Sequence, residues 1–274
     1  MKRLLSIAGI AIATVALSAV FVRAAALQPE AIDLLAISPD AMPTSSTFAT
    51  LHQKVLVVTD GMTAALSVGT APKHYHAGAN EVQLILDGTG TEWLGEQQVA
   101  LKPGMLVIIP AGTAHAGITD TSSGKLRLVA FKTPPQSPDD YHAAPVKAAI
   151  DTGALQATTI DLLAMTTDAM GPPPAAFPNL HSKTLVVAPG MTLALQEGTA
   201  PKHYHANANE IQVVLRGTGT EWLGDKQVDV KPGTMVVIPM GTTHAGLVQT
   251  GSTPLRFISI KTPPQAPTDI HPVQ

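Results

Sequence analysis

Residues 71–81 read APKHYHAGANE, and residues 200–210 read APKHYHANANE. Outward from this pair, the stretch 54–136 lies over 183–265 without a gap. His74, His76, Glu81 and His115 stand opposite His203, His205, Glu210 and His244 at a constant spacing of 129 residues. GTGTEWLGE at 88–96 matches GTGTEWLGD at 217–225, and KPGMLVIIPAGTAHAG at 102–117 matches KPGTMVVIPMGTTHAG at 231–246. Upstream, IDLLAISPDAM at 32–42 matches IDLLAMTTDAM at 160–170, here 128 residues apart. A unit of about 120 residues is far longer than a solenoid repeat, so the chain is a duplicated domain. The expected division is one domain over 27–143, an Ala/Pro-rich linker over 144–153 and a second domain over 154–274.

Within each unit the apolar, β-branched runs are short and bounded by Gly and Pro, as at 54–58, 81–86, 106–109 and 126–131. Such runs predict strands, and only IDLLA and its echo read as brief helices. The expected class is all-β, each unit a small closed or sandwich-like barrel whose inner face follows from alternation along its strands. Composition agrees. The 23 prolines and 22 glycines suit strands joined by tight turns, and 45% hydrophobic residues supply a core. A net charge of −3, with no basic run beyond the first three residues, removes the electrostatic basis of nucleic-acid binding. With no cysteine, disulfides, zinc–thiolate sites and thiol nucleophiles are excluded.

The first 26 residues read as a cleaved signal peptide. Lys2 and Arg3 precede an apolar stretch, and Ala24, Ala25 and Ala26 offer an A-x-A cleavage site before Leu27. A retained membrane anchor is the alternative reading. The expected location is periplasmic or secreted, with no membrane contact after cleavage.

His74 and His76 are two apart, which on a strand places both imidazoles on one face and Tyr75 on the other. Glu81 opens the next strand, and His115 sits in a Pro-Ala-Gly-Thr-Ala-His turn. The second copy supplies His203, His205, Glu210 and His244. Three neutral imidazoles and a carboxylate suit a first-row divalent ion. Mn²⁺ or Fe²⁺ is the first choice, Zn²⁺, Ni²⁺ and Cu²⁺ the alternatives, one ion per domain. Four protein ligands on an octahedral ion leave two positions for water, substrate or dioxygen. All eight residues persist while neighbours such as Gly78/Asn207 and Asp87/Arg216 have diverged between the copies.

These motifs resemble those of the cupin superfamily in its two-domain, bicupin form. Gly69, His74, His76, Glu81 and Gly88 match its first motif, as do Gly198, His203, His205, Glu210 and Gly217. Gly104, Pro110, Gly112 and His115 match the second, as do Gly233, Pro239, Gly241 and His244. Two departures stand out. Only four residues separate Gly69 from His74 where five are usual, and Thr119 and Val248 replace a terminal Asn. The resemblance implies two tandem double-stranded β-helix (jelly-roll) barrels with a metal inside each.

Gln83 and Gln212 share the face of the glutamates by alternation and are the candidate catalytic residues, as amides that orient a ligand or bind substrate; a buried Gln satisfied by backbone is the plainer reading. Arg127 and Arg256 either hold a carboxylate substrate or, more commonly for such residues, lie on a solvated face or in an interdomain salt bridge. Trp93 and Trp222 are expected to pack at a hairpin or between domains. Lys73, Tyr75, Lys202 and Tyr204 are expected away from the metal. His52, His181, His142 and His271 lack ligand spacing and read as surface residues.

The expected function is a metal-dependent enzyme, dioxygenase- or decarboxylase-like, acting on a small organic acid or enol-type substrate. The alternative is a non-enzymatic periplasmic protein that holds a metal or small ligand. Within the resemblance, oxalate decarboxylases and oxidases carry an arginine three residues before H-x-H. Here those positions are Ala71 and Ala200, and no lid with a proton-donating glutamate is evident, which disfavours that activity. A quercetinase-like dioxygenase stays compatible. The only expected partner is a small molecule; monomer and homo-oligomer both remain open.

Overall fold

In the strand Asn80–Asp87, Glu81, Gln83 and Ile85 alternate with Val82 and Leu84, yet all five are buried. A strand buried on both faces lies between two layers, and that sandwiching organises the molecule. The computed structural model describes residues 27–137, 139–144 and 155–273. The expected signal peptide, 1–26, and nearly all of the 144–153 linker lie outside the described residues. Among the described residues the only helical elements are two 3-10 turns, Pro39–Ala41 and Asp168–Met170. All strand pairing is antiparallel.

In the N-terminal repeat a six-stranded sheet runs Thr158–Asp161, Met105–Ile109, Asn80–Asp87, Arg127–Thr133, Thr63–Gly69, Leu51–Val58. A five-stranded sheet runs His142–Ala143, His74–Tyr75, His115–Asp120, Gly90–Leu94, Gln97–Leu101. Ile85, Val107, Ile109 and Leu128 of the first pack with Leu94 and Leu101 of the second, which defines the barrel interior. The C-terminal repeat has the same two sheets.

The outer faces of the two six-stranded sheets meet. Leu66, Leu84, Leu106 and Phe131 share one continuous core with Leu193, Leu195, Ile211 and Ile258. Each such side chain contributes roughly 1.5–3 kcal/mol when fully buried, so the two barrels form one hydrophobic body. The first strand of each repeat crosses to the other barrel. Glu30–Asp33 pairs with Thr234–Ile238, and Thr158–Asp161 pairs with Met105–Ile109. Each exchanged strand covers what would otherwise be an exposed sheet edge.

IDLLA and its echo are not helical. Ile32 and Ile160 are paired within the exchanged strands. The following Asp then folds a turn on itself: Asp33 Oδ1 accepts from the N–H of Leu35 and Ala36, and Asp161 Oδ1 from Leu163 and Ala164. This side-chain acceptor competes with helical hydrogen bonding, while Leu34 and Leu162 drop into the inter-barrel core.

Arg127 and Arg256 clasp these same turns. Arg127 Nη1 donates to the carbonyls of Leu34 and Ile37 at 2.5 and 2.8 Å. Arg256 Nη1 donates to Leu162 and Met165 at 2.8 and 2.7 Å, and its Nε to Glu197 Oε2 at 2.6 Å. Neither guanidinium lies on a solvated face, faces a barrel interior or bridges the domains by an ion pair; Arg256 does form a salt bridge, but with Glu197 of its own domain, so the expectations for both are corrected. Alternation explains this: Arg127 shares its face with Val129 and Phe131, members of the inter-barrel core.

Candidate metal centres

The first-motif glycines set the approach to each centre. Gly69 and Gly198 have φ of 111° and 116°, and a Cβ would lie 2.2 and 2.0 Å from the carbonyl oxygens of Thr50 and Asn179. Only glycine satisfies both demands. The chain then turns inward, and His74 pairs across the sheet with His115 as His203 does with His244. Just beyond these second-motif histidines, Ala116 and Ala245 adopt φ of 63° and 65°. The ladder shifts register there. Such a bulge re-aims a side chain, here turning His115 and His244 into the barrel at a local strain of about 1–2 kcal/mol.

All six histidines have the same tautomer. Nδ1 of His74, His76 and His115 lies 2.8, 2.5 and 2.9 Å from the carbonyls of Pro72, Asp140 and Thr113. In the second barrel Nδ1 of His203, His205 and His244 lies 2.8, 2.6 and 3.0 Å from those of Pro201, Asp269 and Thr242. A carbonyl only accepts, so each Nδ1 carries the proton and each Nε2 keeps a lone pair for a cation.

Those lone pairs converge on the carboxylates. Glu210 Oε2 is 3.2 Å from His205 Nε2 and 2.9 Å from His244 Nε2. His203, His205, Glu210 and His244 offer ligand atoms all within 4.8 Å of one another. In the first barrel that set is His74, His76 and His115, with Glu81 Oε2 3.0 Å from His76 Nε2 and 3.5 Å from His115 Nε2. Facing acceptors this close need a cation or proton between them. Glu81 Oε2 and His244 Nε2 are buried without a hydrogen bond. The donor set therefore fits a divalent ion in each barrel.

Burial, aided by the charge of the neighbouring second-motif histidine, lowers His74 and His203 to about 3, leaving them neutral ligands over the working range. Burial raises Glu81 and Glu210, but Lys132 and Lys261 and the adjacent histidines outweigh it and hold both carboxyls well below the usual range. For His115, burial acts downward and is overcome by hydrogen bonding and charge from Glu81, so its pKa is raised.

Gln83 and Gln212 point into the barrels and donate to the glutamates: Nε2 lies 2.9 Å from Glu81 Oε1 and 3.1 Å from Glu210 Oε1. They orient the carboxylates. Trp93 and Trp222 lie beneath Lys73 and Lys202, whose Nζ atoms sit 4.4 and 3.4 Å from the indole rings. Tyr75 and Tyr204 stack on His142 and His271. His52 and His181 reach the carbonyls of Met42 and Gly171. None of these joins a centre.

Sequence reasoning missed Lys132 and Lys261. Lys261 Nζ lies 2.5 Å from Glu210 Oε2, and Lys132 Nζ 3.3 Å from Glu81 Oε2. Counting by twos from Ala130 along the strand would have found the first. The same count in GTGTEWLG turns Glu92 and Glu221 opposite to the tryptophans and inward. Both are buried with neither carboxyl oxygen bonded, and burial pushes them up to about 8. Asp140 and Asp269 had no sequence signal. Besides the carbonyl on His76 or His205, their side chains accept from the two backbone N–H groups that follow it.

The cavities differ. In the C-terminal barrel a cavity of about 440 Å³ reaches His203, His205, Glu210 and Lys261, walled by Phe177, Phe257 and Ile270. In the N-terminal barrel the space at His74 and Glu81 is about 40 Å³, bounded by Phe48 and Tyr141.

The cupin-domain family model matches residues 63–132 and 190–261, together more than half of the chain. No curated protein matches it. Among solved structures, a Pseudomonas aeruginosa protein named for induction by glyoxylate superposes with a TM-score of 0.61 at 14% identity, over 88% of this chain and 91% of that one. A cupin 2 conserved barrel domain protein from Leptotrichia buccalis gives 0.56 at 14% identity, over 85% and 96%. A mutant of Bacillus subtilis oxalate decarboxylase gives 0.54 at 13% identity, over 86% and 78%. At these identities the likeness is one of fold. The chain belongs to the cupin family, in a two-barrel form with a His/Glu group suited to a metal ion in each barrel.

Proposed function

We propose that the chain is an exported, metal-dependent enzyme acting on a small organic acid or enol-type substrate, with Mn²⁺ or Fe²⁺ in its barrels. The observation that carries this reading is the convergence of three Nε2 lone pairs and a carboxylate, of which His203, His205 and Glu210 line a 440 Å³ cavity. His203, His205, Glu210 and His244 would hold the ion, as would His74, His76, Glu81 and His115 in the other barrel. When bound, the metal would supply Lewis-acid polarisation of a substrate oxygen, or a place for dioxygen beside it.

The chain's own residues do the rest. Gln212 and Ser259 fix Glu210 Oε1 by hydrogen bonds of 3.1 and 2.6 Å. Lys261 brings a cationic group to an anionic substrate oxygen, and Phe177 and Phe257 exclude water from the inner wall. The structurally similar B. subtilis oxalate decarboxylase has Mn(II) centres, at a TM-score of 0.50 and 13% identity, which supports Mn²⁺ as the first metal to try. Oxalate itself is disfavoured, because Ala71 and Ala200 line the two cavities where a guanidinium would be wanted.

Turnover of organic acids, enols and flavonoids, measured before and after chelation and after return of single metals, tests the reading. Activity lost with chelator and restored by one metal is the expected result; no metal-dependent turnover of any of them contradicts it. A second reading, a protein that only holds a metal or ligand, is favoured by the 40 Å³ space in the N-terminal barrel. Exchangeable water on the bound metal would argue against that reading.

A further inference from the structure

The two repeats are nearly superimposable in sequence around their centres, so the difference between their cavities must come from a few side chains. At Tyr141 the C-terminal repeat has Ile270. The Tyr141 ring lies 4.8 Å from that of His76 and 5.4 Å from that of His74, edge-on to Phe48 at 5.3 Å. Lys132 pins it, with Nζ 3.3 Å from the hydroxyl and 4.9 Å from the ring centre. Phe48 is not the cause, since Phe177 occupies the same place in the open barrel.

Tyr141 acts as a partition. With Gln53, Ala130 and Lys132 it borders both the 40 Å³ space at the ligands and a separate outer cavity of about 480 Å³, which is lined by Gln53, Val55, Thr63 and Gln136. The counterparts of those four, Ser182, Thr184, Thr192 and Gln265, line the single C-terminal cavity that runs through to His203 and Glu210. Where Ile270 replaces tyrosine, vestibule and centre are one space. The exchange of Gln53 for Ser182 keeps the same hydrogen bond. Gln53 bonds Ser67 at 3.2 Å, and the counterparts Gln196 and Ser182 make the same bond at 3.4 Å with the roles reversed.

We propose that the C-terminal barrel alone admits a ligand, a carboxylate with an apolar body, and that Tyr141 reserves the N-terminal centre for its metal. The ligand class follows from the wall. Among the described residues Lys261 is the only lysine or arginine lining the cavity, at its inner end beside Glu210; Phe177, Leu180, Phe257 and Ile270 form an apolar side, and hydroxyl and amide side chains such as Ser182 and Gln265 line the rest. The proposal rests on the metal-centre reading above for the role of the site, but its test does not.

The probe is 4-fluorobenzoate, counted per chain by fluorine-19 NMR, which reports binding with or without a metal. The proteins are the full chain, Tyr141→Ile and Ile270→Tyr, each exchange installing the residue the other repeat already carries. One bound probe is expected in the full chain, two in Tyr141→Ile and none in Ile270→Tyr. Two probes in the unaltered chain, none at all, or one still bound in Ile270→Tyr would overturn the proposal. Elemental analysis of the same samples separates the two readings. Absence of metal throughout defeats the metal-centre reading while the probe counts still decide this one.

Discussion

Lys261 and Glu210 form a buried pair, Nζ to Oε2 2.5 Å, and the same Nζ lies 2.6 Å from His205 Nε2. One ammonium thus meets two atoms of the ligand set, and a metal must compete with it for both. Lys261→Met should leave Glu210 without its counter-charge and lower metal-free stability by about 3 kcal/mol. It should also tighten metal binding at the C-terminal centre about tenfold, or ~1.4 kcal/mol. Urea unfolding and chelator competition check the two halves.

Buried titratable groups make metal-free stability depend on pH in both directions. Glu92 and Glu221 are pushed by burial from 4.5 to about 8, so the folded chain holds more protons than the unfolded one across that window. Their contribution is full below pH 4.5 and is lost as pH rises through 8. His74 and His203, lowered by burial from 6.5 to about 3, contribute fully above 6.5 and lose it as pH falls toward 3. A plateau between these limits follows. Replacing both Glu92 and Glu221 with Gln should remove the alkaline decline, about 3 kcal/mol between pH 6.5 and 8 for the two groups together, as read from urea midpoints.

The two arginine clasps should differ in strength. Arg256 is buried against Glu197, with Nε and Nη2 both 2.6 Å from Oε2, whereas Arg127 bonds only carbonyls. Arg256→Met should cost about 3 kcal/mol, by removing the buried partner of a carboxylate that Arg216 still holds and by stranding the carbonyls of Leu162 and Met165. Arg127→Met should cost about 1–3 kcal/mol by stranding carbonyl oxygens. Chemical denaturation of the two variants gives the comparison, and equal losses would contradict it.

Asp269 supports His205 indirectly. Its carbonyl accepts from His205 Nδ1 while its carboxylate anchors the N–H groups of Ala206 and Asn207 at 2.8 and 3.0 Å. Asp269→Ala should loosen that imidazole and weaken the C-terminal metal about tenfold or more, leaving the N-terminal metal unchanged. Biphasic release to a chelator would show it.

The eight candidate ligand residues were legible because four positions recur in both repeats at one spacing while their neighbours drift. Strand alternation carried Gln83 and Gln212 correctly inward. Arg127 was misplaced because the sequence does not say that a strand's second face is also buried; that depends on the other barrel. IDLLA misled because its apolar run lacks a period long enough to distinguish a helix from a strand with an aspartate-capped turn. The exchange of Glu30–Asp33 and Thr158–Asp161 between barrels left no local trace. Tyr141 was passed over because it differs between the repeats, where persistence was the guide.

The central claim is that each barrel holds one metal ion, and elemental analysis of the protein after reconstitution tests it most directly. About two equivalents per chain are expected, falling to one in His76→Ala and one in His205→Ala. No retained metal, or a content that neither substitution lowers, would contradict the account.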